Sequence, residues 1–369
     1  MPEIWQIIVK RPDGTTNARL TGQKDGFVGF SFSRHVNSPG AYLLSFMKRA
    51  DETVDQFLAR VDVFELDSQV EFWRRYQEFG IDWQLEGEFL ARAEDIYTTV
   101  DGGTMLYSAG RGYLDLLHRR VIDAYADSAG AAKNGVAETV IKEYVDEQAG
   151  PGAGARAFPG LSIEADGAGG NDHSWRKHYQ NLLDTIREIT RIGGGDLDIV
   201  GVGDALFEFR WYAGQRGTDR RENIIFSYER GNMGQPRISL KHYDEINAVL
   251  VGGQGNEAAR TLVWRTDDER IAASPWNRLE RWRDARQEPD LAGLESLGDE
   301  FLDEGKPKET LSFKPLQTPG LLLGRDYFFG DLVRGRYMGH EADKKVQGYT
   351  WTWNQEQQEV TVELSDAGT

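Results

Sequence analysis

Residues 321–335 of this 369-residue chain read LLLGRDYFFGDLVRG, and the role of the two aspartates in this stretch decides how the fold is interpreted. Asp326 and Asp331 lie five positions apart, around two phenylalanines and Gly330. An odd spacing places two side chains on opposite faces of a regular strand, which does not favour a catalytic carboxylate pair. Gly330 permits a bulge that would turn Asp331 toward the rim of a sheet. We therefore predict a structural strand-glycine motif at Gly330 and Asp331.

Alternating apolar and polar residues predict strands on both sides of a central region. DYFFGDLVRGRY, VQGYTWTW and EVTVEL show this pattern near the C-terminus, as do GFVGFSFS and ARVDVFEL near the N-terminus. In IDWQLEGEFLAR, at 81–92, the alternation assigns two sets of side chains to opposite faces: Ile81, Trp83, Leu85 and Phe89, against Asp82, Gln84, Glu86 and Glu88. This pattern is typical of a sheet with one apolar face and one acidic, wet face.

The central region has the helical period of about 3.6 residues, beginning near Gly110. Three amphipathic helices are predicted from the apolar positions Tyr113, Leu117, Val121 and Tyr125; Val136, Val140 and Tyr144; and Tyr179, Leu182, Leu183, Ile186 and Ile189. GGGD at 193–196 ends the third helix. The glycine-rich segment 149–172 has no periodicity and is predicted to be an exposed loop.

Strand patterns return in ALFEFRWYA, in NIIFSYERG and in a hairpin made of NAVLVGG and RTLVWRT. The charged segment from Pro275 to about Gly305 is predicted to be mostly helical, with an apolar stripe at Leu291, Leu294, Leu297 and Phe301. The resulting order β, α, β, α, β predicts an α+β fold and not an alternating parallel sheet.

Composition excludes several classes of function. The chain has no cysteine, which rules out disulfides, thiolate metal sites and cysteine nucleophiles. Its formal net charge of -17 disfavours a surface that grips nucleic acid or anionic lipid. No apolar run is long enough for a membrane span, and the first residues lack a signal-peptide pattern, so we expect synthesis in the cytoplasm and no membrane insertion.

No motif points to catalysis, a metal or a cofactor. Gly253-x-Gly255-x-x-Ala258 follows an apolar strand as a dinucleotide loop would, but the next strand pattern starts too soon for a helix, so we predict a glycine hairpin. His173 and His178 are five positions apart, whereas two metal ligands on one helix are normally three or four apart. Paired carboxylates for hydrolysis are defined by distance in space, so the abundant acids leave that possibility open.

The chain resembles the baseplate hub or tail-tip hub proteins of long-tailed phages, especially siphophages that infect actinobacteria. The resemblance rests on LLLGRDYFFGDLVRG together with three further pieces in the same order: RGYLDLLHRRVI at 111–122, NAVLVGGQG at 247–255, and RLERWRDARQEPDLAGLESLGDEFLDE at 278–304. It covers most of the chain, and the ordered set is more specific than any single motif. The glycine-rich segment 149–172 departs from what is expected of that group.

The resemblance implies two tail-tube-like antiparallel β-barrel or sandwich domains with an inserted α/β domain. The corresponding bounds are 1–109 for the first barrel, 110–195 with 246–308 for the insertion, and 196–245 with 309–369 for the discontinuous second barrel. FLARVDVFEL with WQLEGEFLARAE, and YFFGDLVRGRY with VQGYTWTW, are then diverged copies of one pattern. Gly330 would shape a barrel strand in this arrangement.

The resemblance further implies a homotrimer in the virion, at the tail tip, whose ring continues the tube channel. Its partners would be the distal tail protein, the tape measure protein and other tail-tip proteins, with phage DNA passing through without specific binding. Asp82, Glu86 and Glu88 are predicted to line that channel, because an acidic wall repels DNA within about a Debye length, roughly 8 Å at physiological salt.

Two alternatives from other classes stay open. One is a tail-associated cell-wall hydrolase, a peptidase or a glycosidase, which larger members of the resembling group carry as an appended domain. The chain ends soon after its last strand pattern, which disfavours this alternative. The other is a carbohydrate-binding receptor module, suggested by the ten tryptophans. Tryptophans that alternate within strands usually belong to the core, whereas sugar platforms need exposed rings.

Overall fold

A computed structural model describes residues 4–22, 27–123, 131–177, 179–255, 259–288, 290–354 and 357–367. Its strands are β1 Ile4–Lys10, β2 Thr16–Leu20, β3 Phe27–His35, β4 Ser38–Met47, β5 Gln69–Tyr76, β6 Ile81–Thr98, β7 Thr104–Gly112, β8 Ala131–Val136, β9 Leu161–Ile163, β10 Asp172–Lys177, β11 Gly195–Gly203, β12 Leu206–Ala213, β13 Ile225–Ser227, β14 Met233–Lys241, β15 Ala248–Gly252, β16 Leu262–Thr266, β17 Glu280–Asp284, β18 Lys308–Pro315, β19 Leu332–Tyr337, β20 His340–Asn354 and β21 Gln358–Asp366. Its helices are α1 Val54–Val61, α2 Asp115–His118, α3 Ala137–Gln148, α4 Leu182–Gly193, α5 Asp268–Ala272 and α6 Leu291–Glu304.

Eleven strands form one sheet, in the order β13-β19-β20-β3-β4-β7-β6-β5-β1-β2, with β21 paired to β20. The antiparallel pair β20 and β3, with Trp351 opposite Phe32, joins the C-terminal strands to the N-terminal ones. The hydrogen-bonded order has two ends, so no closed barrel is found among the described strands. The α+β class is consistent with this structure. Strands from both expected barrels belong to one continuous sheet, and the division into two barrels stays a prediction.

Aromatic side chains fill one face of this sheet. Phe32 lies 4.7 Å from Phe72 between ring centroids, and Trp5 lies 5.2 Å from Trp351. All four of these rings are buried. Such pairs contribute about 0.5–1.5 kcal/mol each beyond the burial of their area. The predicted alternation at Phe30 and Phe32 is confirmed, because both rings point into this aromatic core.

A second core lies between the helices α3 and α4 and the three-stranded sheet β11-β12-β9. Asn181 caps α4 by accepting a hydrogen bond from the backbone N–H of Asp184, and Gly194 ends the helix with φ +73°. Ile186 and Ile189 are fully buried on its inner face. The predictions of helices at α3 and α4 and of a helix end within 193–196 are confirmed.

Three local predictions are wrong. ARVDVFEL does not form a strand, because Thr53 and Gln56 make a capping box that starts α1, which ends at Val61. RGYLDLLHRRVIDAY forms only the short helix α2, leaving Val121 54% exposed, while Tyr125 lies outside the described residues. Because FLARVDVFEL lies in α1 and in the turn after it, its comparison with WQLEGEFLARAE as copies of one strand pattern also fails.

Segment 149–172 was predicted to be an exposed loop, but part of it is fixed to α3. The carboxylate of Glu138 accepts hydrogen bonds from the backbone N–H groups of Gly167 and Gly169, at 2.9 and 2.8 Å. The Lys142 ammonium group donates to the backbone oxygen of Ala165 at 2.7 Å. Buried side chains of one helix therefore order a segment whose own sequence has no periodicity.

Contacts divide the chain into two compact units, 1–234 with 314–369, and 235–313. In the second unit β16 and β15 form the predicted hairpin, with Val251 opposite Val263, and β17 pairs with β15 in parallel. Helix α6 packs Leu294 and Leu302 on Val249 and Val251. The segment after Pro275, predicted to be mostly helical, thus contains a strand as well as a helix.

The two ranges of the expected inserted domain, 110–195 and 246–308, contribute to different hydrophobic cores. The three-domain division therefore stays a prediction, and the two compact units are what the contacts define. Within the described ranges, none of the helices has the length and apolarity needed to cross a membrane.

Candidate functional site

The strand-glycine motif lies in a turn immediately before β19. Gly330 has φ +88°, a left-handed conformation that favours glycine, and its N–H donates to the Val346 backbone oxygen at 3.0 Å. Asp331 is 2% exposed, and its carboxylate accepts from the backbone N–H groups of Thr218 and Phe328 and from Arg220 Nε, at 2.7, 2.8 and 2.7 Å. By accepting these three hydrogen bonds, the buried carboxylate of Asp331 links the turn to the segment at 218–220.

The backbone at Gly330 also approaches a second glycine. A Cβ atom on Gly217 would lie 2.2 Å from the carbonyl carbon of Gly330, closer than real contacts allow. Asp326, in contrast, accepts a hydrogen bond from the backbone N–H of Leu322 and pairs with Arg325 at 2.6 Å. Asp326 and Asp331 thus have different hydrogen-bond partners, and each carboxylate makes structural contacts.

A group of buried and half-buried polar side chains, most of them charged, lies close to this turn. We call it the polar junction, and its members are Arg34, Asn37, Asp196, Asp198, Arg216 and Lys345. Asp196 is 1% exposed, and its carboxylate lies 2.7 Å from the Lys345 ammonium group. The same carboxylate accepts from the Arg216 backbone N–H at 2.8 Å and from the Asn37 side-chain amide at 3.3 Å. Asp196 therefore links three distant parts of the chain.

Asp198 forms the second half of the polar junction. Its carboxylate accepts from the guanidinium groups of Arg34 and Arg216, at 3.2 and 3.1 Å. Both guanidinium groups also lie over the ring of Phe329, 5.0 and 4.8 Å from the centroid. Phe329 directly precedes Gly330, so the polar junction and the strand-glycine motif form one connected structure.

The ionisable side chains in this region shift one another's pKa values. Burial raises the pKa of Glu88; Arg34 opposes the shift, and Glu71 and Asp198 add to it. Burial by itself would lower the pKa of Arg34, but Tyr349, Asp198 and Glu88 hold that pKa above its ordinary value. Burial raises the pKa of Tyr349 to about 12. These groups are one coupled set, in which each charge depends on its neighbours.

A carboxyl group with a raised pKa beside a second carboxylate is also a feature of hydrolytic sites. The cleft lined by Glu88 and Asp198, together with Arg34 and Tyr113, encloses only about 20 Å³. That volume holds about one water molecule, which is too little for a sugar or a peptide. The geometry at Glu88 and Asp198 is therefore that of a packed ionic network and not of a substrate pocket.

The structure does not bring the three acids predicted to line a channel onto one face. Asp82 is exposed and lies 3.2 Å from Arg75, whereas Glu86 is 4% exposed and paired with Arg74 at 2.6 Å. The pairing register of β5 and β6 shifts between Leu85 and Gly87, so that Glu86 occupies a bulge. A bulge inserts one extra residue and ends the simple alternation on which the prediction depended.

The histidine pair and the glycine motif, considered above for metal and dinucleotide binding, have ordinary structural surroundings where they are described. His173 is exposed and its ring lies 4.7 Å from that of Trp175, while His178 is outside the described residues. Gly253 and Gly255 lie between the two strands of the β15–β16 hairpin, and Ala258 is outside the described residues. No group of three or more His, Cys, Asp or Glu side chains with a metal-binding arrangement occurs in the described parts of the chain.

Sequence reasoning missed the polar junction and Arg74. Arg74 is 2% exposed, donates to the Leu323 backbone oxygen at 2.9 Å and stacks on Trp351 at 4.7 Å. One signal was available: Asp196 and Asp198 alternate with Leu197 and Ile199 in a strand pattern, which indicates two acids on one face. Apart from Arg216, the partners of these acids are more than 100 positions away, so no local pattern identifies them.

The fold is similar from end to end to those of phage tail proteins. The 43 kDa tail protein of prophage MuSo2 from Shewanella oneidensis matches with a TM-score of 0.60 at 10% identity, over 100% of this chain and 98% of that chain. The tail protein from Neisseria meningitidis MC58 matches with a TM-score of 0.56 at 12% identity, over 100% and 98%. Identities this low show the fold alone. No curated protein matches in sequence.

One protein family matches almost the whole length of the chain. The family of Siphovirus ReqiPepy6 Gp37-like proteins matches residues 13–365, a range that contains the strand-glycine motif, the polar junction and the second compact unit. The match confirms the resemblance to siphophage tail proteins. The chain therefore belongs to the Siphovirus ReqiPepy6 Gp37-like protein family, and it has the fold of phage tail proteins.

Proposed function

We propose that this protein is the structural hub of a siphophage tail tip. In this proposal three copies form a ring that continues the channel of the tail tube and joins the distal tail protein to the tip. The observation that carries the proposal is the match of residues 13–365 to a siphovirus family, together with an end-to-end fold match to two tail proteins. A structural component of the virion is the role common to these matches.

The open sheet supports assembly into a ring. Its hydrogen-bonded order ends at β13 and at β2, and β21 forms a further edge beside β20. The Asn232 side chain bonds the outer edge of β13, at Ser227 N–H and the Ile225 oxygen, so we propose β2 and β21 as the edges that contact other subunits. A free sheet edge promotes uncontrolled pairing unless it is covered, and a closed symmetric assembly covers it. Three copies per ring follow from the resemblance to hub proteins. Contacts with the distal tail protein and the tape measure protein belong to the same proposal.

An acidic protein suits a channel through which DNA moves. The net charge of -17 disfavours binding of the phosphate backbone, so DNA would pass without being held. Of the three acids predicted to line the channel, Asp82 has an exposed carboxylate, with 85% of its side chain accessible, whereas Glu86 is committed to a buried ion pair. Asp82 is therefore the member of the set that we propose as a channel residue.

We also propose that the protein has no hydrolase activity. The coupled acids Glu88 and Asp198 line a space of about one water molecule, and the ionic partners of Asp198 hold its carboxylate in the packed network. Purified protein should leave host cell walls intact in a zymogram. Clearing by protein free of contaminating lysin would favour the alternative of a tail-associated hydrolase.

Mass measurement of the purified protein, alone and mixed with the distal tail protein, tests the hub proposal. A trimer in either sample is the expected result. Averaged images of assembled tails should then show threefold symmetry at the position labelled by an antibody against this chain. Another symmetry at that position, or labelling of a site away from the tail tip, would contradict the proposal.

A further inference from the structure

The second compact unit has one sheet face covered by α6 and one face open to solvent. Val249 and Val251 of β15 face the helix, and Leu250 faces the opposite way. In register with Leu250 lie Trp264 of β16 and Trp282 of β17, one on each side. Both tryptophans are 47% exposed. We call this surface the tryptophan face, and its members are Leu250, Leu262, Trp264 and Trp282.

The two indole rings have fixed surroundings. The guanidinium group of Arg260 lies 4.8 Å from the centroid of Trp282, and its side chain is only 13% exposed. Arg260 is held in turn by the backbone oxygens of Gly252 and Gly253 and by the Asp284 carboxylate. Trp282 itself extends over Gly252, where a Cβ atom would lie 2.0 Å from the ring. Trp282 is thus held by contacts with Gly252 and Arg260, and it remains 47% exposed.

Trp264 also lies beside an arginine, although the side chain of this arginine is 48% exposed. Arg278 lies 5.5 Å from its centroid and pairs with Glu280 at 2.7 Å. Since neighbouring strands are about 4.8 Å apart, the backbones of Trp264 and Trp282 lie about 10 Å apart across the central strand. The tryptophan face thus carries two partly exposed indole side chains, one from each strand beside Leu250.

The tryptophan face by itself is too small to form a stable interface with a folded protein. Three strands of five residues cover roughly 200 Å² at about 3.3 Å per residue and about 4.8 Å per strand. A stable protein interface buries about 800 Å² on each partner. A narrow linear ligand fits the available area, whereas a folded protein domain would need further surface.

The charged side chains that border the tryptophan face are paired with one another, which favours a neutral ligand. Glu280 pairs with Arg278, and Asp284 pairs with Arg260, so the acids at its border are already neutralised by arginines. A polyanion such as nucleic acid is also disfavoured by the overall charge of -17. Exposed tryptophans bordered by paired polar groups offer stacking to the C–H faces of sugars and hydrogen bonds to their hydroxyl groups.

We propose that the tryptophan face binds a neutral, linear oligosaccharide, with one sugar stacked on Trp264 and another on Trp282. This function goes beyond the structural role of a hub, and it does not depend on the oligomeric state of the protein. A tail-tip component with such a site would contact the sugar coat of a cell directly.

The test uses the full-length protein and a panel of neutral oligosaccharides, namely cellohexaose, mannohexaose, xylohexaose and a linear arabinan hexamer. Titration calorimetry and quenching of tryptophan fluorescence measure binding. We expect at least one member to bind, with a loss of tenfold or more in Trp264→Ala and in Trp282→Ala. Trp264→Phe and Trp282→Phe keep a stacking ring and should lose less. Tyr243→Ala, which removes an 88% exposed aromatic side chain from the same unit, is the matched control and should bind normally.

Several results would overturn the proposal. Failure of all four oligosaccharides to bind is one, and equal affinity of the wild type and the tryptophan variants is another. Binding that falls by more than tenfold between 50 and 500 mM salt would indicate a charged ligand instead. If the alanine variants keep their sugar affinity but fail to bind a purified tail protein, the tryptophan face is a protein interface. Melting temperatures of the variants show whether each one is folded.

Discussion

The ammonium group of Lys345 lies 2.7 Å from the carboxylate of Asp196, although 149 positions separate the two residues. Both side chains are buried, at 7% and 1% exposure. The pair joins β20 of the large sheet to β11, which contributes to the second hydrophobic core. Because each charge is out of contact with bulk water, neither can lose its partner without a large cost.

Lys345→Met should destabilise the protein by about 3–5 kcal/mol, because it leaves the Asp196 carboxylate buried without its cation. Chemical denaturation measures this change. Asp82→Ala removes an exposed ion pair with Arg75 and, as the control, should cost no more than about 1 kcal/mol. Equal effects of the two substitutions would show that Lys345 and Asp196 are hydrated in solution.

Substitution of the two facing glycines should reveal the close backbone approach in the strand-glycine motif. Gly217→Ala places a Cβ atom 2.2 Å from the Gly330 carbonyl carbon, and Gly330→Ala forces φ +88° on an alanine. We expect each to cost roughly 1–3 kcal/mol in unfolding free energy. Gly339→Ala, at φ +84° with open space around it, is the control for conformation alone. A Gly217→Ala variant as stable as the wild type would mean that this turn has another conformation.

Leu117→Asp should destabilise the second core by more than about 4 kcal/mol, since Leu117 is fully buried and an aspartate there would be an unpaired charge. Val121→Asp, on the same predicted stripe but 54% exposed, should change stability by no more than about 0.5 kcal/mol. Thermal melting of both variants measures the difference. A normal melting temperature for Leu117→Asp would show that its side chain does not face the core.

Glu88→Gln should stabilise the protein at neutral pH relative to the wild type. The pKa of Glu88 is raised in the folded state, chiefly by burial, so the folded state binds a proton more readily than the unfolded state. Stability contributed by this group is present below its unfolded pKa of about 4.5 and is lost as the pH rises through the folded pKa. The glutamine variant has no such loss, so its advantage should appear above pH 4.5. An advantage independent of pH from 3 to 7 would contradict this account.

A phage that carries Asp82→Lys should eject its genome more slowly if Asp82 lines the channel, because a cation attracts the DNA backbone. Ejection is followed in vitro with a dye that binds released DNA, at low and at high salt. Asp268→Lys, at an exposed position in the second unit, is the control. Normal ejection from normally assembled tails would place Asp82 outside the channel.

Elements that depend on neighbouring residues were predictable from the sequence. Helices α3 and α4 follow from their apolar stripes, and the hairpin of β15 and β16 follows from two strand patterns separated by glycines. Helix α1 was missed although its capping residues, Thr53 and Gln56, are visible in the sequence. Two buried positions, Phe57 and Val61, then pack one face of it.

Relationships over long distances in the chain were not predictable. The bulge at Glu86 and a second register shift between Arg74 and Tyr76 change which face the residues of β6 occupy, and nothing in the local pattern announces either one. The joining of β20 to β3 and the pairing of Asp196 with Lys345 depend on register between distant strands. The role of Asp331 was predicted as structural, but its three hydrogen-bond donors became visible only in the folded chain.

The chain enters the second unit through β14 and returns through β18, and these two strands pair with each other. The Thr310 hydroxyl reaches the Ser239 backbone oxygen at 3.4 Å, so the two ends of the unit lie side by side. An insertion whose ends are adjacent can be lengthened, shortened or replaced without changing the register of the sheet that hosts it. Evolution can therefore change or replace residues 235–313 as one unit while the rest of the chain keeps its strand register.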